Sequence, residues 1–192
     1  VDISAWTPFL IVEICWIVFA ATFAFRRRGS SREEKRRDNR SIGPIIVQSV
    51  AFFVVWVIHR PFGTPLIGWS SRPYLGALAV IIAIGSIWLV IVSVRTLGKQ
   101  WAFAASVIEG HQLITEGPYA HVRNPIYSGM LGMLVATGIV ASTWYGMVAA
   151  VVVFLAGTAW RVRVEERLLR SEFGREFEDY TRRVPSLIPH IW

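Results

Sequence analysis

Cysteine is nearly missing from this 192-residue sequence. Cys15 stands alone, so neither a disulfide framework nor a cysteine metal site is available. Histidine is scarce too: His59, His111, His121 and His190 include no i, i+4 pair, and metal binding has no helical two-histidine basis. No G-x-S-x-G stretch occurs, which removes the turn that exposes a nucleophilic serine. No Gly-rich dinucleotide fingerprint follows a strand-like run, so a Rossmann-type site is not the template. Charge is thin, at 17% of residues against 54% hydrophobic, where a soluble domain carries about 25% charged residues. Nothing alternates at period two over strand lengths, which argues against a membrane β-barrel.

What the sequence has is apolar runs and tryptophan. Mean hydropathy is +0.47 and there are nine Trp. A crossing of the bilayer takes roughly 20 helical residues. Trp6 to Phe25 is broken only by Glu13; Ile42 to Ile58 holds no charge; Tyr74 to Val94 is apolar throughout; Ser128 to Ala141 and Tyr145 to Trp160 form a pair split by "STW". The expected fold is all-α: a polytopic integral membrane protein with about five transmembrane helices, the last two a short helical hairpin, and a cytosolic C-terminal helix. The last two runs are short for a full crossing. The first run lacks a positive n-region and a small-residue cleavage site, so it reads as a span rather than a removable signal. An ionisable group inside a span is a functional candidate by default; Glu13, which can sit there protonated or near the interface, is left out of the site.

Basic residues set the expected orientation. Eight lie in 26–40, three between Arg95 and Tyr127 and seven after Trp160, eighteen of the twenty; Arg60 and Arg72 are the others. With five spans the three basic segments share one face, and the positive-inside rule makes that face cytoplasmic. The N-terminus is then outside and the C-terminus inside. The net charge of +7 is read as this topology signal plus contact with anionic membrane lipids, not nucleic-acid binding.

Two polar stretches fall on that face. "GPYAHVRNPIYSG" (117–129) carries two tyrosines, a His, an Arg and an Asn beyond what a turn requires. Pro125 suits the first turn of span four, with Asn124 as its cap, and the free N–H groups of a helix start favour an anionic ligand group. After Trp160 the helix continues out of the membrane. Arg161, Glu165, Leu168 and Leu169 share one face by their spacing. Gly174 interrupts this helix, Pro185 ends any helix before it, and "SLIPHIW" is apolar enough to fold back on the membrane.

"LITEGPYAHVRNPIYSG", a helical hairpin and then "RVEERLLRSEFGREFEDYTRRVPSLIP" resemble the isoprenylcysteine carboxyl methyltransferase family, within the wider group of membrane methyltransferases that includes phospholipid N-methyltransferases. The likeness spans about residues 96–190; the first three runs resemble the family only in being apolar. It divides the chain into 1–95, three helices with the basic loop 26–40, and 96–192, a catalytic region.

The resemblance implies S-adenosylmethionine as cofactor, held on the cytosolic side, and a lipophilic small-molecule, lipid or prenylated acceptor entering from the bilayer. By motif position it assigns cofactor contacts to His111, Gln112, Leu113, Ile114, Tyr119, Asn124, Pro125, Ile126, Tyr127 and Glu165, and the acceptor to Arg161. One departure is visible: the family's His before the Pro is Asn124 here, which cannot carry a proton charge near neutral pH.

The chemistry is consistent with this. A carboxylate has a free pKa of about 4 and needs no base at pH 7; it needs a cation such as the planar fork of Arg161. Glu165 could accept from the cofactor's ribose hydroxyls or ammonium. Blander readings stand beside these: Arg161 and Glu165 as an i, i+4 surface pair worth about 0.3–0.5 kcal/mol, Tyr119 and Tyr127 as interfacial belt residues, His111 as a solvated loop residue, Glu166 facing solvent or pairing with basic neighbours. The functional alternatives are methylation of a lipid amine or thiol, a non-catalytic membrane scaffold recruiting partners through 26–40, and an NADPH-dependent reductase of the sterol type.

Overall fold

The computed structural model describes residues 6–27, 34–37, 42–59, 73–98, 106–108 and 112–188. Five apolar helices dominate it: α1 Thr7–Arg27, α2 Ile42–Val57, α3 Pro73–Leu97, α4 Pro125–Ala141 and α5 Trp144–Phe173, followed by the short α6 Arg175–Arg183. Two strands absent from the sequence expectation, β1 Glu34–Arg37 and β2 Ser106–Ile108, pair antiparallel. A 3-10 turn, Gly117–Ala120, precedes α4.

Each expected run became a helix, with shifted ends. α4 starts at Pro125 rather than Ser128, because proline's fixed φ suits a first helical position and extends the helix back into the polar motif. α5 runs for 30 residues, so the short apolar run continues as helix beyond Trp160, as its sequence suggests. Its charged second half stays helical, and Gly174, at φ 51°, closes it in a conformation that only glycine adopts without strain. The hairpin turn is two residues, and the Thr143 hydroxyl caps α5 by accepting from the Gly146 N–H at 3.2 Å.

Helix pairing is tight where side chains are small. α3 packs along α4 and α2 along α5. A Cβ on Gly129 would lie 2.5 Å from a Val90 methyl and 2.9 Å from the Ser86 carbonyl, and one on Gly157 would meet Val47 at 3.0 Å and the Gln48 backbone nitrogen at 3.1 Å. Small residues of this kind let helices approach in lipid, where dispersion rather than water exclusion holds them together. Edge-on aromatic contacts join α1, α2 and α5 through Trp16–Phe52 and Phe52–Phe154. The Trp16 indole N–H donates to Thr137 on α4 at 2.9 Å.

The outside is as apolar as the inside. Ile17, Phe53, Ile81, Trp88 and Val152 are all exposed, a belt that would be an aggregation surface in water and suits hydrocarbon. α1, α3 and α5 are long and apolar enough to cross a bilayer, while α2 and α4 are shorter apolar helices of 16 and 17 residues. The chain is a polytopic helical membrane protein. One carboxylate oxygen of Glu13 on α1 is buried without a hydrogen-bond partner.

Candidate functional site

At the end of the apolar part of α5, Arg161 and Glu165 turn inward toward the start of α4. The Arg161 Nε donates to Glu165 at 3.1 Å. The Tyr127 hydroxyl lies 2.6 and 2.7 Å from the two Glu165 oxygens, and its ring lies 5.0 Å beneath the guanidinium. A second guanidinium nitrogen donates to the Gln48 side-chain oxygen on α2 at 3.1 Å. Gln48 in turn donates to the Thr158 hydroxyl at 2.9 Å. Arg161 is only 8% exposed and Gln48 only 2%. A buried cation needs such partners, since desolvation would otherwise cost several kcal/mol.

A second layer holds this cluster in place. Arg123 donates to Glu166 through Nε at 3.1 Å and through a terminal nitrogen at 2.9 Å. It also donates to the carbonyls of Thr181, at 3.1 Å, and Val184. The Arg123 and Asn124 backbone N–H groups donate to the carbonyls of Pro185 and Ser186 at 2.9 and 3.0 Å. The segment after α6 is thereby docked on the entry to α4, with Leu187 fully buried beside Tyr127 and Val162. The Tyr180 hydroxyl donates to the Tyr119 carbonyl at 2.6 Å. Burial pushes the Tyr180 phenol up to about 12, partly offset by Arg123. Burial, then the neighbouring Tyr180 and Glu165, raises the Tyr119 phenol as well. Both stay neutral hydrogen-bonding groups at physiological pH.

Of the residues named from sequence, the structure gathers Tyr127, Arg161 and Glu165 directly. Tyr119 is buried and senses the Glu165 charge. Pro125 is buried and Ile126 half-buried at the α4 start. Asn124 does occupy the N-cap position, but its side chain makes no cap; its amide donates to the Ser186 carbonyl and hydroxyl at 3.0 and 3.2 Å. The side chain is thus oriented by the tail, through its N–H donors, and its oxygen accepts from none of the free N–H groups of the helix start. Leu113 packs against Phe177, Tyr180 and Val184 of the α6 region, Ile114 is half-buried and Gln112 exposed. His111 lies outside the described residues. Glu166 pairs with Arg123, one of the two roles weighed for it.

Gln48, Thr158, Ser186 and Tyr180 take part without having been singled out by the sequence reading. A lone amide inside the uncharged run 42–58 was the available signal for Gln48, because polar groups within a span are costly unless they have a partner. Among the described residues no group of three or more His, Cys, Asp or Glu could hold a metal ion.

The donor set suits the cofactor that the resemblance implies. S-adenosylmethionine carries a sulfonium, an ammonium, a carboxylate and ribose hydroxyls. Glu165 is partly exposed, and Tyr127 and Arg161 together use about two of the roughly four acceptor directions of its carboxylate.

The phospholipid methyltransferase family model matches residues 74–176. Protein-S-isoprenylcysteine O-methyltransferase B of Arabidopsis thaliana is 39% identical over 83 residues, 43% of this chain and 42% of that protein. Methanethiol S-methyltransferase 2 of Bradyrhizobium diazoefficiens is 30% identical over 165 residues, 77% of this chain and 59% of the relative. The chain thus spans roughly half the length of these curated relatives. Among solved structures, the eukaryotic intramembrane Ras methyltransferase, an isoprenylcysteine carboxyl methyltransferase, aligns with TM-score 0.54 at 24% identity, covering 80% of this chain and 55% of the other; that likeness concerns the fold.

Proposed function

The chain belongs to the phospholipid methyltransferase family, and from that premise we propose that it moves a methyl group from S-adenosylmethionine to the carboxylate of a lipophilic acceptor. The single observation that carries this reading is the Arg161–Glu165–Tyr127 cluster, where the polar motif before α4 meets the inner face of α5. The isoprenylcysteine relatives supply the acceptor class: a prenylated cysteine, whose anionic end would meet Arg161 while its chain lies in the bilayer. When bound, S-adenosylmethionine supplies a methyl group already activated by its positive sulfur.

The protein's task is then to orient and to exclude water. Arg161 is assigned to the acceptor carboxylate, for which a guanidinium offers a planar fork. Glu165, with Tyr119, Asn124, Pro125, Ile126, Tyr127 and the segment His111–Ile114, is assigned to the cofactor. Residues 96–192 form the catalytic region and 1–95 the helical support. With five crossings, the positive-inside rule assigns the basic segments, the site and the C-terminus to the cytoplasm and the N-terminus to the outside. A second reading, transfer to a lipid amine or a thiol, is supported by the family's description and by the methanethiol-methylating relative.

The test is transfer of labelled methyl groups by the detergent-purified chain into an acetylated S-farnesylcysteine, phosphatidylethanolamine and an alkyl thiol. Label should enter the farnesylcysteine as a base-labile ester; label in the lipid amine or thiol alone rejects the carboxylate. S-adenosylmethionine at 100 times its dissociation constant should add about 2.7 kcal/mol of stability. Stabilisation by NADPH instead would favour a reductase, and stabilisation by neither a scaffold.

A further inference from the structure

The amide of Gln48 comes from α2, outside the segment matched by the family, yet it is one of the hydrogen-bond partners of Arg161. Its orientation is defined at both ends. The oxygen faces the guanidinium at 3.1 Å, and the nitrogen donates to the Thr158 hydroxyl at 2.9 Å. Thr158 lies on α5 three residues before Arg161, so the amide bridges two successive positions on one helix face. Gly157 makes the approach possible, since a Cβ there would press on the Gln48 backbone and side chain at 3.1–3.2 Å.

Consider what the guanidinium experiences. Glu165 holds it at Nε and contributes a negative charge. Gln48 holds a second nitrogen and contributes none. Two anchored nitrogens fix the plane of the fork, and the cluster retains one cation against one anion. A carboxylate at position 48 would fix the plane equally well and leave the cation doubly countered, a poor partner for an incoming anion.

We propose that Gln48 is a positioning residue for methyl transfer: its neutral amide, locked by Thr158, sets the plane of the Arg161 guanidinium without taking up the charge that an anionic acceptor requires. This rests on the assignment of Arg161 to the acceptor. Gln48, only 2% exposed, is assigned to act through Arg161 rather than on either substrate.

The experiment measures kcat and KM for acetylated S-farnesylcysteine, thermal stabilisation by the same probe, and S-adenosylmethionine affinity by calorimetry, all in detergent. Gln48→Met keeps the shape and removes both hydrogen bonds. It should raise the probe's KM about tenfold, the usual scale for a lost bond to a charged group, with kcat and cofactor affinity within about twofold. Gln48→Glu retains an acceptor oxygen and should still raise KM more than Gln48→Met does at pH 7. Thr158→Val frees the amide to rotate and should give a smaller rise in the same direction; it decides the matter if the Gln48 variants do not fold. Arg161→Lys is the control. If Arg161→Lys raises KM while Gln48→Met and Thr158→Val leave it unchanged, the inference falls and the acceptor reading survives. If Gln48→Met instead weakens cofactor binding, Gln48 serves the donor side and the inference is overturned. A parent protein neither stabilised by the probe nor able to methylate it rejects the acceptor reading, and the inference with it.

Discussion

Arg123 grips a single oxygen of Glu166 with two of its nitrogens, at 3.1 and 2.9 Å, and so ties the chain just before α4 to the charged half of α5. The same guanidinium also binds the carbonyls of Thr181, in the last turn of α6, and Val184, just after it. The Arg123 and Glu166 side chains are partly shielded, at 14% and 20% exposure, so the pair is less screened than a surface ion pair and less desolvated than a fully buried one.

Arg123→Ala should therefore lower unfolding stability by roughly 1–3 kcal/mol, because it strands Glu166 and two carbonyls together. Glu166→Ala should cost less, since Arg123 keeps its carbonyl partners. Thermal melts in detergent give the order. Limited proteolysis within 181–188 should accelerate only in Arg123→Ala. Equal resistance in the two variants would mean the segment is held by Leu187 burial alone.

Arg161→Ala and Glu165→Ala should separate the two ligands. The first should raise acceptor KM by one to two orders of magnitude, about 1.5–3 kcal/mol, and leave S-adenosylmethionine affinity nearly intact. The second should weaken cofactor affinity, as calorimetry would record. Loss of cofactor binding in Arg161→Ala, with Glu165→Ala unaffected, would reverse the roles.

Tyr180 should make the fold sensitive to alkali. Its phenol is pushed up to about 12 by burial, against about 10 in an unfolded chain. The folded state prefers the neutral form, so this group's stabilisation is intact below pH 10 and is lost as pH climbs toward 12. Denaturation followed across that window should show falling stability. The slope should be shallower in Tyr180→Phe, and an unchanged slope would assign the effect to other groups such as Tyr119.

Rate against pH distinguishes acceptors. A carboxylate is ionised throughout pH 7–9, so transfer should be flat there; an amine must first shed a proton and would give a rate that climbs with pH. A climbing profile with the farnesylcysteine probe would contradict unassisted carboxylate attack.

Gly129→Ala should destabilise the α3–α4 pair by about 1–3 kcal/mol, since its Cβ would lie 2.5 Å from Val90 and 2.9 Å from a backbone oxygen that cannot swing away. Gly85→Ala, where a Cβ meets nothing within 4 Å, is the matched control and should not lower the melting temperature.

Helices were legible because hydrocarbon-length apolar runs admit few alternatives, and the Arg161–Glu165 pairing was legible because i, i+4 spacing survives whatever surrounds it. The β1–β2 ribbon was not, since "EKRR" shows no apolar alternation. Asn124 was placed correctly at the helix start, yet its side-chain partner lies 62 residues away at Ser186, and the bond goes to a backbone carbonyl that no residue type advertises. Gln48 was hidden for a related reason: its lone amide signals that a partner is needed, but both partners belong to a different helix.

That amide has a mechanical consequence. A one-turn axial slide of α2 along α5, about 5.4 Å, would bring Pro44 or Phe52 opposite Arg161 and unpair Thr158 at the same stroke. Apolar ridges alone tolerate such slippage, whereas a buried polar partner permits one setting, as a lone asparagine does in a coiled coil. Gln48 is thus a detent: it indexes the depth at which the second helix sits.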